Sequence, residues 1–409
     1  MHIRPLDPAS SAEIALVAER MRATLQQVLD PELGASMYSL EWLQDRVRQH
    51  LDPALGQVFL ALEGGRILGH TIVRLEPEHG LFSTTWVQPE ARRAGVAALL
   101  LDHGEHWLMA MGADTLATNT SSTNTPLLRL YEGRGYRVTT RAQDMVQLTR
   151  PVSSSERERR LALRAPGLAY GRTPMSQVVE GRGWFQLVTP GGPPGVNELL
   201  FGDLVGDPEA AIDAVCATFS DPFKWCIQPW TRPADLERRL VARGFTFWSA
   251  RAMALETSVE LATGGIEVVP VTPERVEEAA RVFHEGWGGQ IEDHEARLRD
   301  PGEVRYSLGL LEGEAVGGAG THLQPGVGYL LGAVVLPRAR RRGVYRALIA
   351  ARLAALAAAG VPLAVTHAKE SSSAPLLDKL GFRTVFPYRI GQGPADPPQA
   401  TPPGARQGA

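Results

Sequence analysis

Two short stretches of this 409-residue chain carry residue types that could hold a diphosphate. The first is Arg92-Arg93-Ala94-Gly95-Val96-Ala97, with a β-rich apolar run at 81–87 before it and an alanine- and leucine-rich run at 96–111 after it. A turn that leaves a strand and opens a helix presents free backbone N–H groups at the positive end of aligned peptide dipoles, and so attracts phosphate. Gly95 and Ala97 put no bulky side chain in the way of a diphosphate, and Arg92 and Arg93 add positive charge. The second stretch is Arg340-Arg341-Arg342-Gly343-Val344-Tyr345. Its Pro337 lies 248 residues after Pro89, and a β-rich run at 329–335 precedes it.

An internal repeat therefore organises the chain, and the elements that must position each turn can be read beside it. Each copy continues into a short strand pattern, 115–118 or 363–366, and then a helix closing on Gly135-Tyr136 or Gly381-Phe382. A third such ending, Arg243-Gly244-Phe245, lies between them. Glycine after a helix is a C-cap free to take positive φ, and the aromatic residue opens the next strand. Three matching endings predict three related α/β units: 1–149, 161–256 without a phosphate turn, and 266–390, the second and third docked as a pair. Residues 150–160, rich in Ser and charge, read as a linker, and 391–409, rich in Pro, Gly and Ala, as a disordered tail.

Composition narrows the partners. With 44% hydrophobic and 21% charged residues and a net charge of -3, the chain is globular and has no overall basic field for nucleic acid or an anionic membrane. No leader pattern or membrane-spanning run is visible, so the expected location is the cytoplasm. Cys216 and Cys226 have no His or Cys partners at metal-ligand spacing, so neither a disulfide framework nor a metal site is expected.

The first turn resembles the hallmark of the GNAT superfamily of N-acetyltransferases, (Arg/Gln)-x-x-Gly-x-(Gly/Ala), matched by Arg92, Gly95 and Ala97. The segment from Asn124 through Tyr131 to Gly135-Tyr136 is similar to the family's second signature. The resemblance implies tandem units, each a mixed, mainly antiparallel sheet flanked by helices, loosely as in tandem members of the mycothiol synthase type. It implies acetyl-CoA as acyl donor, with Arg92, Arg93, Ala94, Gly95, Val96 and Ala97 around the pyrophosphate. The splayed strand from Thr84 to Val87, with Trp86 and Val87 at the cofactor, would pair with the pantetheine arm, and Asn124 would contact the cofactor. The N–H of Val87 would polarise the thioester carbonyl, and Tyr131 would protonate the leaving thiolate. Acyl transfer to an amine needs that proton, an oxyanion donor and a neutral amine. No general base is legible: 81–87 lacks a carboxylate or His, and Glu76, Glu78 and His79 read as a solvated turn.

The corresponding second cofactor site comprises Val334, Val335, Arg340, Arg341, Arg342, Gly343 and Val344. Here Tyr345 replaces the small final residue and Leu377 stands where Tyr131 would be, so this unit either uses other groups or serves as a scaffold. His322 and His367 near strand ends are candidates for acid–base work, with structural roles as the alternative. Trp225, Trp230, Phe247 and Trp248 give the middle unit an aromatic character that suits packing more than an acceptor pocket. The expected function is transfer of an acetyl group to a primary amine of a small molecule or peptide through a ternary complex. A non-catalytic acyl-CoA-binding regulator is the alternative. Other dinucleotide or nucleotide enzymes are disfavoured because Gly-x-Gly-x-x-Gly and Gly-x-x-x-x-Gly-Lys-(Ser/Thr) are both missing. Acceptor identity and oligomeric state leave no mark in the sequence.

Overall fold

The computed structural model describes residues 1–28, 38–52, 54–170, 176–181, 184–189, 197–202, 204 and 207–394. The chain divides into two compact units, one of 1–161 with 180–182 and one of 162–179 with 183–409. Among the described residues no helix is long and apolar enough to cross a membrane.

The first unit runs β1 (His2–Pro5), α1 (Ser11–Val28), α2 (Leu40–Gln49), β2 (Gly56–Glu63), β3 (Arg66–Leu75), β4 (Gly80–Val87), α3 (Val96–Ala110), β5 (Thr115–Ser121), α4 (Thr125–Glu132), β6 (Arg137–Ala142) and β7 (Met145–Pro151). Its sheet has the order β1-β2-β3-β4-β5-β7-β6, and only β4 and β5 pair in parallel. Alternation along β3 shows how both faces are covered. Ile72 packs with Val17 and Ala18 of α1 and Leu43 and Val47 of α2, whereas Val73 packs with Leu100 and Leu108 of α3 and Tyr131 of α4.

Helix α5 (Ser154–Tyr170) follows at once, so the linker expected at 150–160 is instead the end of β7 and the start of a helix. Its serines and charges are not linker chemistry: Ser153 caps the first turn through a bond from the Glu156 N–H, and Arg150, Arg157 and Arg160 all make ion pairs.

The second unit contains β8 (Gln177–Gly181), β9 (Trp184–Val188), β10 (Glu198–Gly202), α6 (Pro208–Cys216), β11 (Lys224–Ile227), α7 (Leu236–Val241), β12 (Thr246–Glu256), β13 (Glu267–Pro270), α8 (Val276–Trp287), α9 (Ile291–Arg299), β14 (Val304–Leu311), β15 (Glu314–Gln324), β16 (Val327–Val335), α10 (Val344–Ala358), β17 (Leu363–Lys369), α11 (Ala374–Asp378) and β18 (Arg383–Gln392). They form one eleven-stranded sheet, β13-β14-β15-β16-β17-β12-β18-β11-β10-β9-β8. The expected division near 257–265 therefore does not separate two bodies. In the first unit β5 is followed in the sheet by β7 and then β6, a hairpin. In the second unit β12 takes the place beside β17, and β18 the place beside β11. These two strands pair with each other from Thr246 opposite Gln392 to Ala254 opposite Arg383, so each half of the sheet is completed by a strand of the other.

Gly391 and Gln392, expected in a tail, are the end of β18, held by pairing to Trp225 and Lys224. The tail from 395 lies outside the described residues. Trp225 is fully buried among Phe219, Phe223 and Phe245, and Trp230 meets Phe386 edge-on at 5.2 Å, so both are packing residues.

Candidate active site

Strands β4 and β5 pair only from Gly80–Leu116 to Phe82–Thr118 and then separate. Beyond that point β4 has a free edge toward the gap, and the register decides which of its groups point there. Gln88 N–H donates to Leu68 O at 2.8 Å, so the opposed pair His70 and Trp86 exchanges ladder bonds, whereas Gly69–Val87 and Thr71–Thr85 do not. The N–H groups of Thr85 and Val87 therefore face the gap. Non-bonded pairs bring side chains closer, and the Thr71 and Thr85 hydroxyls meet at 2.8 Å. The same alternation corrects the expectation for Trp86. Its backbone is committed to β3 and its indole lies on the α1 face, beside His70 and under Arg20, away from α3 and α4.

The turn after β4 has the shape its residues suggest. Arg93 has φ 65 and Gly95 φ 85, both left-handed, and Gly95 caps α3 without a side-chain hydrogen bond. Successive N–H groups in such a turn converge as an anion nest, backed by the helix start. Arg92 has a further role: its Nε donates to Val87 O at 3.2 Å, bracing the turn against the strand end. The second turn repeats all of this, with Arg341 at φ 63, Gly343 at φ 88 and Arg340 Nε on Val335 O at 3.3 Å.

Tyr131 lies at the mouth of the gap. It is 1% exposed, between Phe82 and Tyr136 with centroids at 5.8 and 4.9 Å. The Thr118 and Thr85 side chains, one from each strand bordering the gap, lie close enough to bias its hydroxyl. Burial pushes the phenol well above its usual value of 10, with the two threonines pulling weakly the other way, so it is protonated throughout the neutral range. Thr118 also donates to Phe82 O at 3.2 Å, satisfying the carbonyl at the point of separation. Asn124, expected at the cofactor, is the N-cap of α4: its side-chain oxygen accepts from Leu127 N–H and its Nδ2 donates to Thr120 at 3.2 Å.

Behind Tyr131 lies a buried ion cluster that the sequence did not reveal. Glu105, 2% exposed on α3, takes a two-pronged bond from Arg134 at 2.9 and 2.8 Å, a bond from Arg160 at 3.2 Å and one from the Tyr136 hydroxyl at 3.2 Å. Burial raises the carboxyl, but Arg134, Arg160 and Arg150 hold it below its usual value. The cluster fixes the end of α4, and with it the Tyr131 ring, onto α3.

In the second unit the turn is preserved but the surrounding chemistry is not. Leu336 N–H donates to Val316 O, so by the same alternation Val335 and Ala333 face the gap between β16 and β17, and Val334, expected at a cofactor, is bonded to β15. Arg342 pairs with Glu312 at 2.8 Å, leaving less free charge than the arginine run suggests. Leu377 takes the place of Tyr131, and Tyr345 packs against the same cluster. Where α3 has Gly104, whose Cβ would lie 2.4 Å from Phe82 Cε1, α10 has Arg352. Arg352 is buried, and its Nη1 donates to Gly320 O and Leu331 O at the bulge of β15 and β16.

Both histidines here are structural. Pro166 inside α5 has no N–H to give Ala162 O, and His367 Nε2 donates to that carbonyl instead at 2.9 Å. Nδ1 therefore accepts from the Tyr388 hydroxyl, and burial lowers His367 to about 4. His322, fully buried, bonds to Glu303 at 3.2 Å and to Gln324 at 2.9 Å, and Gln324 donates to Ala165 O. Helix α5 thus seals the face of β15 and β17 that corresponds to the α1 face of the first unit.

The acetyltransferase (GNAT) family matches the chain twice, over 21–136 and 272–382, together more than half its length. No curated protein matches the sequence. Similar solved structures include a GCN5-related N-acetyltransferase from Kribbella flavida, 18% identical over 58% of this chain and 96% of its own, with a TM-score of 0.44. A functionally unknown conserved protein from Staphylococcus epidermidis ATCC 12228 is 9% identical over 55% and 96%, with a TM-score of 0.43. The PaiA N-acetyltransferase from Thermoplasma acidophilum in complex with coenzyme A is 13% identical over 37% and 100%, with a TM-score of 0.31. All three scores are below 0.5, and the family membership rests on the double match.

Proposed function

Because the chain belongs to the acetyltransferase (GNAT) family and acetyl-CoA is its acyl donor, we propose that the first unit alone carries the reaction, moving the acetyl group to a primary amine within a ternary complex. The observation that carries this reading is the meeting of three features at one gap: the left-handed turn at Arg93–Gly95, the N–H groups of Thr85 and Val87, and the Tyr131 hydroxyl. When bound, acetyl-CoA supplies the activated acyl group. The turn from Arg93 to Ala97 fits its diphosphate, with N–H donors and no capping side chain in the way. The N–H of Val87 or Thr85 donates to the carbonyl oxygen as negative charge develops. Tyr131 donates its proton to the departing thiolate, oriented by Thr118 and Thr85.

On the α1 face β4 presents Thr84 and Trp86 and no carboxylate, so deprotonation of the amine falls to water or to the acceptor itself. That lack also favours a second reading, an acyl-CoA-binding regulator that uses no acceptor. The two separate in a thiol-release assay with a panel of amines, alongside thermal-shift titration with acetyl-CoA. Acceleration by an amine supports transfer, and slow release indifferent to every amine supports the regulator. The second unit keeps its turn but has Leu377 for the acid, so we assign it no transfer step.

A further inference from the structure

On the α1 face of the first sheet, one side chain away from the gap, lies a pair of buried groups that the transfer chemistry does not use. Arg20 of α1 is 6% exposed and His70 of β3 is fully buried. The Arg20 guanidinium stands 4.3 Å from the centre of the Trp86 ring, and the His70 ring is stacked beside the same indole. Arg20 Nη2 donates to Ile67 O at 2.8 Å. Among the described residues, Arg20 Nη1 and both ring nitrogens of His70 are enclosed without a hydrogen-bond partner, and no carboxylate pairs with Arg20.

A buried cation without a counter-ion, next to an imidazole with nothing to bond, is an expensive arrangement for a fold to keep. The Trp86 ring face and Ile67 O compensate it only in part: burial lowers Arg20 below its usual 12.5, and burial, then Arg20, lowers His70 to about 3. The imidazole is therefore neutral, with one nitrogen able to donate. Two unused donors beside one positive charge without a counter-ion match a carboxylate, which accepts at both oxygens. Trp86, which separates the pair from the gap, sits between Thr85 and Val87, the two residues whose N–H groups point into it. Trp86 and Thr84 are half-buried, so the indole that covers the pair is itself partly exposed.

We propose that Arg20 and His70 receive a carboxylate borne by the acceptor, which makes the acceptor an amino acid or an amine with a carboxylate a few bonds from its nitrogen. The inference rests on the transfer reading for the amine, but the site itself is read from the α1 face alone. The carboxylate is held by Arg20 Nη1 and a His70 N–H on one side of Trp86, and the amine reaches the gap on the other. Tyr131 works from the opposite face of the sheet.

The test uses the full chain with glycine, alanine, serine, leucine, phenylalanine, glutamate and lysine, each against its own carboxamide. The wild type is expected to prefer at least one amino acid over its carboxamide by about 10- to 100-fold in kcat/KM, the range for losing a charged hydrogen bond. Arg20→Met should erase that ratio through the acceptor's KM while leaving the KM for acetyl-CoA unchanged, and Arg20→Lys should keep part of it. Equal use of both members of every pair by the wild type, or an undiminished preference in Arg20→Met, overturns the inference. Binding of the N-acetyl amino acids and their carboxamides to the wild type with CoA, read by thermal shift, needs neither a variant nor turnover. Carboxylate-selective binding without turnover of any amine would retain this site and overturn the transfer reading. Turnover without selectivity would do the reverse.

Discussion

Replacing Tyr131 by Phe removes one oxygen and leaves the ring in its edge-on contacts with Phe82 and Tyr136. The structural cost is small: the Thr118 and Thr85 side chains near the hydroxyl each keep another partner, so about 1 kcal/mol of stability is lost. The chemical cost should be much larger, since a positioned general acid contributes about 10²- to 10⁴-fold. Thiol release at saturating acetyl-CoA should therefore fall by that factor, while the acetyl-CoA concentration for half-maximal thermal shift changes less than about threefold. The elevated phenol adds a signature in pH. Tyr131 stays protonated well past its usual 10, so no alkaline loss of wild-type activity below that pH should be traceable to it. Turnover within about threefold of wild type in Tyr131→Phe would refute the acid role and leave the tyrosine as packing.

Three further outcomes follow from the same geometry. Gly95→Trp, which forces a large side chain into a φ of 85, should weaken acetyl-CoA binding more than about tenfold by thermal shift, whereas Gly343→Trp should leave turnover unchanged. Glu105 titrates below its usual 4.5 in the fold, so it contributes stability that is complete above about that pH and lost as pH falls through the lower folded value. Glu105→Gln should destabilise the protein at pH 7 and flatten the acid limb of the melting curve below pH 4.5. His367, held at about 4 against 6.5, contributes about 3 kcal/mol at neutral pH that disappears as pH falls from 6.5 toward 4. His367→Gln should reduce the slope of melting temperature with pH in that interval.

Much of the first site was legible because it is local in sequence. Arg92 to Ala97 and Tyr131 with its glycine ending are runs whose spacing alone fixes a strand, a turn and a helix. What escaped were pairings across strands. Thr85, Thr71 and His70 acquire roles only through the register of β3 on β4, which one sequence does not state. Trp86 was misplaced for the same reason, since neighbours on a strand face opposite ways. The repeat does carry one signal of the gap: Thr118 recurs 248 residues later as Thr366, and both hydroxyls bond the carbonyl where the parallel strands part, Phe82 O and Leu330 O. Glu105 in a helix reads as a solvated charge until Arg134, Arg150 and Arg160 are seen around it.

The second and third units, expected as a docked pair, share one sheet for a topological reason. Helix endings at Gly135, Gly244 and Gly381 do mark three repeats of one local pattern, but a pattern of local elements does not say which sheet a strand joins. In the first repeat a hairpin supplies both remaining strands, β6 and β7. The other two repeats each have one long strand after the helix, β12 and β18, and no hairpin among the described residues. Each half of that sheet would otherwise end on an unpaired edge at β11 or β17, a liability for any sheet. Insertion of β18 beside β11 and β12 beside β17 removes both edges at once, so neither half is complete without the other. An isolated fragment of 161–256 should therefore fail to give a cooperative unfolding transition, while residues 161–394 together should give one. A cooperative transition from the shorter fragment would show that β11 does not need β18.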